Sequence, residues 1–391
     1  MSLINLDQAW AIIAQSVAHL PGETVALADA AGRVLAAPVT AAFDSPRSAV
    51  STMDGYAIRD GDGPALQLIG TSAAGSTFHG TIGAGEAVRI FTGAALPDGA
   101  TRVVMQEHVT ADGDRITIDD PRGPPFVRHR ASDFAAGDIV VAAGSLLTPG
   151  ALVAAAGAGA SSVVTTRRPR VLTIATGDEL RPVGAPLDPD HIPDSLAPGL
   201  TASIAAMGAQ MLGHQLLGDD LPALEAAAAS AVSRCDLVVV TGGASVGARD
   251  HAKAMFAPLG LEILFSKVAI KPGKPVWLGR VGDTLVMGLP GNPVSAMVTA
   301  RLLLAPLVAR LLGQIRPSPL EWIALPLGAP IPAIDNRETF LRARLIDGDL
   351  VPLTNQDSGA QRALAEAGWL IRCPARQGAL EAGAVICALA L

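Results

Sequence analysis

Between residues 170 and 293, short uncharged apolar runs end three times over in a polar loop built on glycine. Val171–Ile174 leads into Thr176-Gly177-Asp178-Glu179-Leu180. Leu237–Val240 leads into Thr241-Gly242-Gly243-Ala244-Ser245-Val246-Gly247-Ala248-Arg249-Asp250. Leu285–Met287 leads into Gly288-Leu289-Pro290-Gly291-Asn292-Pro293. Runs this apolar fit strands covered on both faces. Gln210–Leu217 supplies another strand, and residues 195–208 and Pro222–Val232 read as the helices between. Such alternation implies a parallel sheet with its loops gathered at the strand C-terminal ends. Asn292 before Pro293 reads as an N-cap and a first-turn proline, opening a helix to about Leu312.

A chain of 391 residues exceeds what one core organises, so several domains are expected. The expected fold is multidomain α/β plus β. Residues 1–40 with 140–168 form an N-terminal helical linker, with helices over 7–19 and 27–35. Residues 41–139 form an all-β insertion, because runs such as Val88–Phe91 and Arg115–Ile118 alternate with Gly, Pro and Asp turns. Residues 169–315 form a three-layer α/β domain with the parallel sheet, and 316–391 a small β-barrel domain. The charge-free stretch 139–166 is broken by Gly144, Pro149, Gly150, Gly157 and Gly159. It therefore reads as a loop and a packed helix, not a membrane span.

A net charge of −7 with 29 basic residues, and 3% aromatics, argue against nucleic-acid binding, which needs a basic face and stacking platforms. Cys235, Cys373 and Cys387 show no CxxC spacing, so neither a disulfide framework nor a zinc site is indicated. The start, Met1-Ser2-Leu3-Ile4-Asn5, lacks a basic signal region, and the expected location is cytoplasmic. No GxxxxGK[ST] phosphate loop occurs, and Gly157-Ala158-Gly159 lacks a preceding strand. The seven histidines show no paired ligand spacing.

Three glycine loops on one sheet edge can offer backbone N–H groups to an anion. Two of them carry carboxylates, which a phosphate pocket needs mainly to hold a divalent metal. Lys271-Pro272-Gly273-Lys274-Pro275, with Lys267 upstream, adds fixed cations suited to a tetrahedral oxyanion.

Ser51-Thr52-Met53-Asp54-Gly55-Tyr56-Ala57, Phe91-Thr92-Gly93-Ala94, TGDEL (176–180), TGGASVGARD (241–250), KPGKP (271–275) and LPGNP (289–293) stand in this order. In this the chain resembles the molybdopterin molybdenumtransferases, the MoeA family that includes the gephyrin C-terminal domain. The resemblance implies a homodimer in which the α/β domain binds molybdopterin and the β insertion of one subunit closes over the other's pocket. It implies Mg²⁺-dependent insertion of molybdate into adenylylated molybdopterin, with release of AMP. By motif match Asp54, Glu179, Asp250 and Lys271 are the catalytic candidates, with Glu179 and Asp250 on the metal. Asp178, Asp219, Gly242, Gly243, Ser245, Pro290 and Pro293 would line the pterin and phosphate region. Thr92, Arg128 and Asp133 would come from the insertion. Lys267, Lys274, Pro275, Arg337 and Ser358 would join Lys271 at the oxyanion end. Molybdopterin adenylyltransferase and molybdoenzyme maturation proteins are the other partners implied, with no nucleic acid and no membrane.

Two departures from the family pattern stand out. Leu196 follows Asp194-Ser195 where the family carries Asn, and is expected to face the pocket. Arg130-Ala131-Ser132-Asp133 keeps the Asp of Arg-Gly-Glu-Asp and loses the Glu. Rival readings are a non-catalytic molybdopterin-binding or scaffolding paralogue, and an adenylyltransferase or nucleotide pyrophosphatase on the same α/β module. Asp178 reads equally as a helix cap, one of Asp219 and Asp220 caps the following helix, and Arg342 suits a salt-bridged face.

Overall fold

The computed structural model describes residues 3–120, 122–242, 251–315 and 318–391. Its central sheet has six strands in the order Gln210–Leu217, Arg170–Thr176, Leu237–Thr241, Thr284–Leu289, Trp277–Val281, Glu262–Ser266. The first four are parallel, as the alternating sequence requires. The last two run antiparallel, joined to the parallel set through the pairing of Trp277–Val281 with Thr284–Leu289. Only the turn at Val281–Thr284 separates those two strands, too short for the crossover a parallel pair needs.

Alternate strand residues fill two cores. Val171, Leu237, Val239, Leu285 and Met287 face one side, against Leu200 and Ile204 of the helix Leu196–Ala206 and against Leu302–Leu312. Leu172, Ile174, Val238, Val240 and Val286 face the other, against Leu224 and Ala228 of the helix Leu221–Val232 and against Phe256. A period of two with both faces apolar is what a covered parallel sheet demands.

The helix opened by Pro293 runs to Leu311, with a π-helical turn over Ala300–Leu304. Pro306 has no N–H for the carbonyl of Leu302, and that carbonyl accepts the indole N–H of Trp10 at 2.8 Å. The N-terminal helix Leu6–Ser16 is pinned in this way, and Arg310 Nε donates to the carbonyl of Val17 at 2.7 Å. The helical run Pro293–Leu311 has the length and mean hydropathy (1.6) of a membrane span, yet 78% of it is buried inside the molecule.

The segment 27–35 corrects the expectation of a helix. Only Leu27–Asp29 forms a 3₁₀ turn, and Val34 and Leu35 make isolated bridges to Leu146 and Thr165. The turn is capped at Ala30, and Gly32, with φ of 68°, then takes the chain off a helical path. The strand Gly22–Ala26 pairs antiparallel with Ser162–Thr166, so segments far apart in sequence join around the helix Pro149–Gly157. Residues 55–118 form a second six-stranded sheet. A third sheet runs through residues 322–390, and Ile270–Lys271 joins it by pairing with Glu338 and Thr339.

Asp236 fastens the linker to the start of the central sheet. Its carboxylate takes both Nη groups of Arg167 at 2.6 and 2.7 Å and the backbone N–H of Arg170 at 2.8 Å. Burial raises its pKa, but the bonds from Arg167 and Arg170 outweigh that and hold it at about 2. A carboxyl held below its unfolded pKa stabilises the fold above that value and loses the contribution as pH falls towards 2. Asp236→Asn should therefore cost about 1–3 kcal/mol at neutral pH. The gap in stability to wild type should close between about pH 4 and pH 2. Chemical denaturation across that range measures it, and a constant gap would contradict the account.

Leu196, 8% exposed, packs in the main core beside Leu200 and Ile204 and also borders the cleft at the strand ends, as expected. Leu196→Asn should lose about 1–3 kcal/mol, the cost of an unpaired buried amide. An unchanged melting temperature would contradict this packing role.

Candidate functional site

The four parallel strands finish level, with Thr176 opposite Leu217, Ala175 opposite Thr241 and Thr241 opposite Leu289. The loops that follow must therefore share one edge, and they enclose a cleft of about 820 Å³. Its walls carry Glu179, Asp194, Asp219, Gly242, Pro290 and Pro293. Gly242 has φ of 90°, and a Cβ there would lie 2.2 Å from the carbonyl oxygen of Thr176. Only glycine lets these two strand ends approach so closely.

Asp178 is not a helix cap, because no helix follows it. Its Oδ1 accepts the backbone N–H of Asp219 at 2.9 Å and ties two of the loops together. Asp220 is the cap of Leu221–Val232, accepting from Ala223 N–H at 3.3 Å, which leaves Asp219 on the cleft wall. Asn292 has the backbone of an N-cap but not its side-chain bond. Its Nδ2 donates instead to Ser358 Oγ at 3.0 Å, while Val294 N–H donates to the Ser358 carbonyl at 3.1 Å. The start of the long helix is thereby joined to a loop of the C-terminal sheet.

A second cleft, of about 660 Å³, opens on the far side of that junction. Lys271, Lys274, Arg337 and Ser358 line it, and it shares Pro275 and Ser295 with the first. Both lysines are exposed at the mouth, with no carboxylate bonded to them among the described residues. Lys267, with φ of 73°, lies upstream and lines neither cleft. Arg342 is fully buried and, among the described residues, forms no salt bridge, contrary to expectation. Its Nη2 donates to the carbonyls of Asn355 and Asp357, both at 3.1 Å, and so shapes the loop that presents Ser358.

The β-insertion candidates form groups of their own. Asp54 Oδ1 accepts the N–H and the Oγ–H of Thr92 at 2.7 and 2.8 Å. These two bonds, with the charge of Arg89, hold the Asp54 carboxyl below its usual range, so it is ionised at neutral pH. Arg128 and Asp133 border a shallow recess with Ser45 and Pro46. Gly243, Ser245 and Asp250 lie outside the described residues.

Sequence reasoning missed Asp194, His214 and the Asn292–Ser358 bond. The Asp194-Ser195 pair drew attention only to the residue after it, and contacts 20 and 66 residues apart leave no trace in local spacing.

Magnesium suits one or two carboxylates completed by phosphate oxygens and water. Glu179 and Asp219 on one wall supply that donor chemistry. Among the described residues no group of three or more His, Cys, Asp or Glu converges into an all-protein cage.

Three family models cover the chain: MoeA N-terminal region (domains I and II) over residues 4–159, probable molybdopterin binding domain over 172–310, and MoeA C-terminal region (domain IV) over 324–391. The molybdopterin molybdenumtransferase of Haemophilus influenzae is 37% identical over 80% of this chain and 78% of its own. That of Staphylococcus aureus is 30% identical over 97% of this chain and 94% of its own. The crystal structure of a Pyrococcus horikoshii molybdopterin biosynthesis MoeA protein matches with a TM-score of 0.81 at 29% identity, covering 100% of this chain and 99% of that one. The chain belongs to the MoeA family.

Proposed function

We propose that the protein is a molybdopterin molybdenumtransferase, which inserts molybdate into the dithiolene of adenylylated molybdopterin and releases AMP in molybdenum cofactor biosynthesis. The observation that carries this reading is the meeting at Pro275 and Ser295 of two clefts of different charge balance. One has glycine loops and the carboxylates Glu179, Asp194 and Asp219; the other sets Lys271, Lys274 and Arg337 against Asp335 and Asp357, leaving the cations in excess.

In this reading the glycine loops cradle phosphate through backbone N–H groups. Lys271, Lys274 and Arg337 attract molybdate, and the hydroxyl of Ser358, held by Asn292, donates to one of its oxygens. Glu179, with Asp219 and the Asp250 of the motif, would hold Mg²⁺, which when bound draws charge from the phosphoanhydride as it breaks. Asp54, kept ionised and oriented by Thr92, reaches the site from the insertion of a second subunit, as do Arg128 and Asp133. The working form is thus a cytoplasmic homodimer, supplied with adenylylated substrate by an adenylyltransferase and serving molybdoenzyme maturation. The departure at Leu196 would favour a scaffolding paralogue if it took a binding group out of the site. The Leu196 side chain packs into the core while bordering the first cleft, and its departure from Asn removes no charged group from either cleft.

Glu179→Gln should slow AMP release and molybdenum insertion by about 100-fold or more, as loss of one preorganised electrostatic group does. The melting temperature should hold, because Glu179 is exposed. Near-normal turnover would remove Glu179 from the site. Mixing Asp54→Ala subunits with Glu179→Gln subunits should restore part of the activity, because each mixed dimer then has one intact site. Background activity in proven mixed dimers would place each site within a single chain.

A further inference from the structure

The cleft holds one carboxylate whose environment differs from the rest. Asp194 is 4% exposed, yet it borders the same space as Glu179 and Asp219. Its Oδ2 accepts from His214 Nε2 at 2.7 Å, and its Oδ1 takes the Ala197 N–H at 3.3 Å. The other ring nitrogen, Nδ1, lies 2.8 Å from Thr173 Oγ1. Thr173 and His214 stand in register on adjacent strands, and Thr173 is 2% exposed. A relay of three side chains therefore runs from the middle of the sheet to the cleft wall.

This relay keeps its geometry in either charge state of the imidazole. Facing a carboxylate, Nε2 carries a proton. Nδ1 accepts from the Thr173 hydroxyl when the ring is neutral and donates to it when the ring is charged. The carboxylate thus always has its donor and a fixed orientation. It also has about four acceptor positions, of which two are used.

A fixed, nearly buried carboxylate repels the phosphate that the neighbouring loops attract. The part of a ligand that meets it must bring N–H groups. A planar 2-amino-4-oxopyrimidine edge brings two in parallel, the fork that a carboxylate accepts best. Leu196, also on the cleft wall, offers such a ring apolar contact and no competing hydrogen bond.

We propose that Asp194 is the acceptor for the amino-pyrimidinone edge of the pterin, and that His214, backed by Thr173, is its positioning residue. This assignment rests on the cleft being the pterin site. The probes are pterin-6-carboxylate and lumazine-6-carboxylate, which differ in carrying an amino group or a carbonyl at position 2. Fluorescence titrations use full-length wild type, Asp194→Asn, His214→Phe and His214→Gln, each with its melting temperature.

Wild type should prefer the pterin about tenfold or more, the scale of one charge-assisted hydrogen bond. Asp194→Asn and His214→Phe should bring the ratio close to one through weaker pterin binding, with lumazine binding unchanged. His214→Gln, which offers one donor and one acceptor, should keep most of the preference. Equal binding of the two probes by wild type, or a preference that survives in Asp194→Asn, overturns the assignment of Asp194. A full preference in His214→Phe, or one lost as completely in His214→Gln, overturns the positioning role. Failure of wild type to bind either probe overturns the pterin reading of the cleft and this assignment with it.

Discussion

The cleft exists because two strand ends approach more closely than any side chain allows. At Gly242 a Cβ would stand 2.2 Å from the carbonyl of Thr176. Without it the strands Arg170–Thr176 and Leu237–Thr241 end side by side, and the loops that leave them begin level. Asp178 then reaches the backbone of Asp219 and closes the third side. Backbone N–H groups and carboxylates come to share one rim through sheet geometry, with no helix dipole needed to explain it.

The cationic side depends on a different tie. The lysine turn 271–275 belongs by sequence to the α/β region, but Ile270–Lys271 pairs with a strand of the C-terminal sheet. Asn292 gives up its capping bond to hold Ser358, and Arg342 holds the carbonyls around that serine from within the core. Leaving a helix start without its side-chain cap costs about 1 kcal/mol. Here the side chain that would have capped it joins two sheets across the line where the clefts meet.

Much of this was legible from the residues. Uncharged strand runs between helices announced the covered parallel sheet, and the glycine loops announced its functional edge. Motif order pointed to the family before any contact was visible. The antiparallel pair at the sheet edge, the strand Gly22–Ala26 with its distant partner, and the missing helix over 27–35 were not legible. Each depends on pairing between segments far apart, which local periodicity does not encode. For the same reason Arg342 read as a surface ion pair, whereas its buried guanidinium serves backbone carbonyls. Asp194 and His214 went unnoticed because their 20-residue separation becomes a contact only when the helix between them folds back.

The central claim is that a molybdate cleft and a phosphate cleft meet at Pro275 and Ser295. Crystals soaked with molybdate and AMP, measured at the molybdenum absorption edge, test it most directly. The account predicts an anomalous peak bounded by Lys271, Lys274, Arg337 and Ser358, with the nucleotide phosphate over the glycine loops near Gly177 and Gly242. A peak elsewhere on the molecule, or none in that cleft at saturating molybdate, would contradict it.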